Sequence, residues 1–131
     1  MAVSVNYRAF VVEQLARVLP DVRARSMFGG VGVYTHDLFF ALIDNDTLYF
    51  KVDDVTRPLF QTVGMGPFRP FGDSGNAMDY FEVPADVLED LDALAEWASQ
   101  AVAVARRARG RRVRPAGKRE PKSPEQNLSL R

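Results

Sequence analysis

The sequence has no cysteine, one histidine and one tryptophan in 131 residues. Without thiols, a disulfide, a cysteine nucleophile and a cysteine-ligated zinc are all excluded. A lone histidine cannot build a multi-histidine metal site. His36 falls in a predicted turn with no serine or cysteine motif beside it, so it reads as a solvated turn residue. No stretch approaches the roughly 20 apolar residues that span a bilayer. Met1 to Phe10 has Arg8 where a signal peptide needs its apolar run. We therefore expect a cytoplasmic protein with no membrane partner.

What is present suits one domain. Hydrophobic residues make up 47% of the chain and aromatic residues 11%, enough for a packed core. The net charge of zero conceals a division. Residues 1–105 hold 7 Lys and Arg against 15 Asp and Glu, a net −8; residues 106–131 hold 10 against 2, a net +8. Apolar periodicity stops near Ala105, and Pro115, Pro121 and Pro124 break any helix beyond it. The expected organisation is a folded domain over 1–108 and a disordered basic tail over 109–131.

Tyr7, Phe10, Val11, Leu15, Val18 and Leu19 share one stripe of a helix predicted over Asn6–Leu19. The period then shortens to two. Strands are predicted over Phe28–Thr35, Leu38–Ile43 and Leu48–Val52, joined by turns at His36-Asp37 and Asp44–Thr47. With turns this short, Ile43 opposes Leu48, Ala41 opposes Phe50 and Tyr34 opposes Phe39. One face then carries Gly30, Gly32, Tyr34, Phe39, Ala41, Ile43, Leu48, Phe50 and Val52. The other carries Val31, Val33, Leu38, Phe40, Leu42 and Tyr49. A short helix capped by Asp53, Asp54 or Thr56 runs to Gly64; strands follow over Pro67–Phe71 and Asn76–Val83. The longest helix starts at Asp90 or Asp92 and reaches about Arg107. The order helix, three strands, helix, two strands, helix is α+β with a mostly antiparallel sheet.

Several short motifs recur in one order: Arg25 through Tyr34, Leu38-Phe39-Phe40-Ala41-Leu42-Ile43, Leu48 through Asp53, Thr56-Arg57-Pro58 and Ala95-Glu96-Trp97-Ala98. Together they resemble the N-terminal domain of the bacterial competence regulators called TfoX or Sxy, over roughly residues 8–105. The resemblance implies a secretion-chaperone-like α+β fold, often dimeric. It marks Met27, Phe28, Gly29, Gly30, Gly32 and Trp97 as motif residues with structural roles. The larger regulators add a second C-terminal domain, which residues 106–131 are not expected to form, so its activity is not carried over.

No catalytic, cofactor or metal constellation emerges. Gly29-Gly30-Val31-Gly32 lacks the lysine and following helix of a phosphate loop; the glycines are expected to let a helix approach Phe39 and Phe50. Asp44, Asp46, Asp53 and Asp54 fit turns and caps better than a cation site, and Arg57 is expected to pair with Asp53 or Asp54. The expected function is a non-enzymatic regulatory or protein-interaction module, a homodimer with an unknown protein partner. Val31, Val33, Phe40, Leu42 and Tyr49 form its expected surface. The alternative is weak, non-specific nucleic-acid binding through Arg106, Arg107, Arg109, Arg111, Arg112 and Arg114 of the tail.

Overall fold

A computed structural model describes residues 3–27, 29–70 and 79–113, without the side chains of 111–113. Helix α1 spans Val5–Val18, its first turn capped by the Ser4 hydroxyl, which accepts from Tyr7 N–H. Four strands follow: β1 Val22–Met27, β2 Gly30–Thr35, β3 Leu38–Asp44 and β4 Thr47–Lys51. Helix α2 (Arg57–Thr62) leads to β5 (Tyr80–Glu82), α3 (Ala85–Leu88) and the long α4 (Leu91–Val113). The five strands lie in sequence order, every neighbouring pair antiparallel. The architecture is the α+β fold with an antiparallel sheet that the sequence predicts.

The turns explain that meander. Asn45 and Asp46 both take positive φ, the pairing that a two-residue hairpin with matching twist requires. At the first hairpin the positive φ falls on His36 rather than on Asp37. The register follows the sequence: Ile43 opposes Leu48, Ala41 opposes Phe50, and Tyr34 opposes Phe39.

The assignment of residues to faces is corrected by one irregularity. Val33 opposes Ala41 while Tyr34 opposes Phe39, so Phe40 is an extra residue on β3. Such a bulge places two residues opposite one and breaks the strict alternation. Phe40 and Ala41 both turn to the helices, and both are fully buried. Val31, Val33, Thr35, Leu38, Phe40, Ala41, Ile43, Leu48, Phe50 and Val52 thus line the covered face. Helix α4 lies over β3 and β4, α1 beside it over β1, and α3 against α4. Val11, Leu15, Leu94, Ala98 and Ala101 supply their inner stripe.

Three further differences are local. Strand β1 has no place in the sequence-based reading, because Arg23 and Arg25 interrupt its apolar content; its alternation is nevertheless strand-like. The strand expected over residues 67–71 is, at its described residues, a single bridge of Pro67 with Phe81. Helix α4 continues past the expected Arg107 to Val113, through Gly110. Phe28, residues 71–78, which include the expected turn at Gly72–Gly75 and the start of the strand expected over Asn76–Val83, and the tail from Arg114 lie outside the described residues. No helix among the described residues is long and apolar enough to cross a membrane.

Candidate functional site

All four helices pack on one face or beside the sheet, and the other face is not covered by any helix of the described residues. Pairing fixes what it presents: Arg23, Arg25 and Met27 from β1, Gly30, Gly32 and Tyr34 from β2, and Phe39, Leu42 and Asp44 from β3. Tyr49 and Lys51 come from β4, with Tyr80 and Glu82 from β5.

Aromatic rings dominate the centre of this face. Tyr34 and Phe39 stack at 5.1 Å between centroids, and Phe39 meets Tyr80 at 5.7 Å. The Lys51 ammonium lies 5.1 Å from the centre of the Tyr80 ring, a cation–π contact. Tyr49 packs on Phe68 at 5.0 Å. Tyr34, Phe39, Leu42, Tyr49 and Phe68 all stay half-buried, while Tyr80 is 5% exposed beneath its neighbours. Desolvation pushes the Tyr49 hydroxyl above its ordinary pKa, with Glu82 and Asp44 adding to it. A groove of about 780 Å³ is lined by Met27, Phe39, Leu42, Phe68 and Tyr80 of this side and also by Val31, Leu38 and Ile43 of the covered face, and reaches Ala105, Ala108 and Arg109 of α4.

The glycines serve this face, and what approaches them differs from expectation. A Cβ on Gly32 would stand 2.7 Å from Met27 Cε and 3.1 Å from Phe39 Cε1. A Cβ on Gly30 would stand 2.7 Å from the Ile43 carbonyl oxygen. Side chains and a neighbouring strand, rather than a helix, occupy the space. Phe50 lies on the opposite face. Gly29 takes a positive φ just before β2. Trp97 lies on the helix side, where its half-buried ring meets Phe60 edge-on at 4.8 Å and ties α4 to α2.

Of the five residues expected to form a surface, Val31, Val33 and Phe40 are 4%, 0% and 0% exposed under the helices. The bulge at Phe40 explains the error, since it shifts β2 by one residue relative to β3. Leu42 and Tyr49 do lie on the open face. The residues that the sequence reading left off that surface, Tyr34, Phe39 and Phe68, were legible only as aromatic strand residues.

The acidic residues act as caps and partners. Asp53 Oδ1 accepts from Val55 N–H, Thr56 N–H and the Thr56 hydroxyl, at 3.0, 3.0 and 3.3 Å. Its Oδ2 accepts from Arg107 at 2.6 Å. Arg57 pairs with Asp54 at 2.8 Å and with Asp79 at 3.4 Å. Asp46 accepts from Ser4 N–H at 2.7 Å. Arg109 pairs with Asp37 at 2.8 Å. Two arginines of the expected nucleic-acid surface, Arg107 and Arg109, are therefore engaged by carboxylates, whereas Arg106 is exposed on α4. Arg111 and Arg112 continue the helix, and Arg114 lies outside the described residues.

Residues 13–105 match the model of the TfoX N-terminal domain. The chain belongs to the TfoX N-terminal domain family. A search of curated proteins finds no match. The match to the TfoX N-terminal domain begins inside α1 and ends on α4, taking in the whole sheet. It also takes in every residue of the open face described above. Arg106 and the residues after it lie beyond the match.

Proposed function

We propose that this TfoX N-terminal domain is a non-enzymatic regulatory module that works as a homodimer joined through the open face of its sheet. One observation supports the reading above others: Tyr34, Phe39, Leu42, Tyr49 and Phe68 form a contiguous, half-exposed apolar surface with no helix over it among the described residues. Patches of this kind usually mark an interface, and closed two-fold dimers are the commonest assembly. Asp37, Asp53 and Asp79 each accept from an arginine, which favours structural roles for these three carboxylates.

The test is sedimentation at micromolar concentration. Wild-type protein is expected to sediment as a dimer. Leu42→Asp, a change at a half-exposed site, should sediment as a monomer with a nearly unchanged unfolding midpoint. A monomeric wild type, or a Leu42→Asp variant that still dimerises, would remove the open face as the interface.

A further inference from the structure

The two edges of the sheet are finished differently. At β5 the edge is closed: Phe68 N–H donates to Tyr80 O at 2.7 Å and Glu82 N–H to Gly66 O at 3.0 Å. The β1 edge has no such strap among the described residues. His36 N–H donates to Asp21 O, which sets the alternation of the ladder: Arg23, Arg25 and Met27 bond toward β2, while Val22, Ala24 and Ser26 direct their N–H and C=O groups outward. Arg8 confirms the direction, since its guanidinium reaches round to Ala24 O at 3.3 Å and to Ser26 Oγ at 3.0 Å. Among the described residues no other bond reaches these outward groups.

The charge at this edge runs against the rest of the domain. Residues 1–105 have 7 basic residues against 15 acidic ones, yet three of the seven, Arg8, Arg23 and Arg25, gather along one strand. Asp21 holds Arg23 through two contacts at 3.1 and 2.9 Å. Arg25 is exposed and has no ion pair among the described residues. A second copy of β1 would place arginines opposite arginines, and like charges directly opposite destabilise a strand pair.

We propose that the outer edge of β1 accepts an extended acidic segment of a partner protein as a sixth strand. The backbone of the segment would pair with Val22, Ala24 and Ser26, taking over the Ala24 carbonyl from the Arg8 guanidinium that holds it at 3.3 Å. Its acidic residues, at every second position, would lie beside Arg23 and Arg25 on the open face. Small or β-branched residues between them would sit beside Val22, Ala24 and Ser26. Strand addition of this kind draws affinity from main-chain hydrogen bonds and specificity from alternate side chains.

The probe is a fluorescent peptide of alternating threonine and glutamate, compared with its threonine–lysine counterpart and with a version N-methylated at every second residue. Full-length protein should bind the glutamate peptide, bind the lysine peptide at least tenfold more weakly and ignore the N-methylated one. Arg25→Glu should weaken glutamate-peptide binding at least tenfold with an unchanged unfolding midpoint. Hydrogen exchange provides a direct readout: amides of Val22, Ala24 and Ser26 should gain protection on binding, and those of Arg23 and Arg25 should not change. Equal binding of the N-methylated peptide, absence of glutamate-peptide binding, or protection of the β1 edge by protein concentration alone would each overturn the proposal. None of these readouts depends on dimerisation through the open face.

Discussion

The two faces of the sheet are built from the same strands and finished in opposite ways. On the covered face, Val33, Phe40, Ala41, Ile43 and Phe50 are fully buried beneath α1 and α4. On the open face, rings lie on one another: Tyr34 on Phe39, Phe39 against Tyr80, Tyr49 on Phe68. The first arrangement removes apolar surface from water completely, so stability is concentrated there. The second leaves area half-exposed, so part of its hydrophobic gain is still available to a partner. Strand β3 supplies both faces, and a single extra residue at Phe40 decides which of its side chains goes where.

The sharpest way to break this comparison is a pair of neighbouring truncations. Phe40→Ala empties a packed site and should cost about 3–5 kcal/mol. Phe39→Ala removes a half-exposed ring and its contacts with Tyr34 and Tyr80, and should cost about 1–2 kcal/mol. Urea unfolding of both variants at one low protein concentration makes the measurement. Equal losses would mean that the two faces contribute alike and that the open face is a second core.

Glycine substitution sharpens the comparison on the open side. Gly30→Val and Gly32→Val both put a branched side chain where there is no room, and overpacking costs about 1–3 kcal/mol. The obstacles differ in kind. Gly30 faces the Ile43 carbonyl, fixed in the sheet, whereas Gly32 faces the flexible end of Met27 and the edge of the Phe39 ring. Gly30→Val should therefore lose more stability, read as the lower denaturant midpoint. The reverse order would show that the Met27–Phe39 cover is the more rigid of the two.

Much of this was legible in the sequence, and the gaps have physical causes. Hairpin length fixed the cross-strand partners of Ile43, Ala41 and Tyr34, because a two-residue turn allows one register. The bulge was not legible: Leu38 to Ile43 is apolar at every position, so no polar residue reports a change of phase. β1 was hidden by the opposite problem, since Arg23 and Arg25 make its open side look like a loop. The aromatic surface was half visible, with Leu42 and Tyr49 assigned to it while Tyr34 and Phe39 were placed with the core. Helix α4 runs past Arg107, and there Arg107 and Arg109 meet Asp53 and Asp37 across the fold, contacts that helical periodicity cannot reveal.

The end of α4 joins the two faces, and its two ion pairs should behave unequally. The Asp53 side chain is only 20% exposed; Asp37 is 79% exposed. Partial burial raises the Asp53 carboxyl, but Arg107 and the Thr56 and Val55 N–H groups outweigh it and bring the pKa down to about 2. A carboxylate depressed in the folded state stabilises above its unfolded pKa, near 3.8, and that contribution is lost as pH falls toward 2. Asp53→Asn should thus lower stability at neutral pH by about 1–2 kcal/mol and flatten the loss of stability between pH 4 and 2. Arg109 also holds the Asp37 carboxyl below its ordinary value, yet water screens that exposed pair. Asp37→Asn should leave the thermal midpoint indistinguishable from wild type at neutral pH. If Asp37→Asn matched Asp53→Asn, the Arg109 contact would be anchoring α4 at the groove, and the open face would owe part of its shape to the helix that packs on the other side.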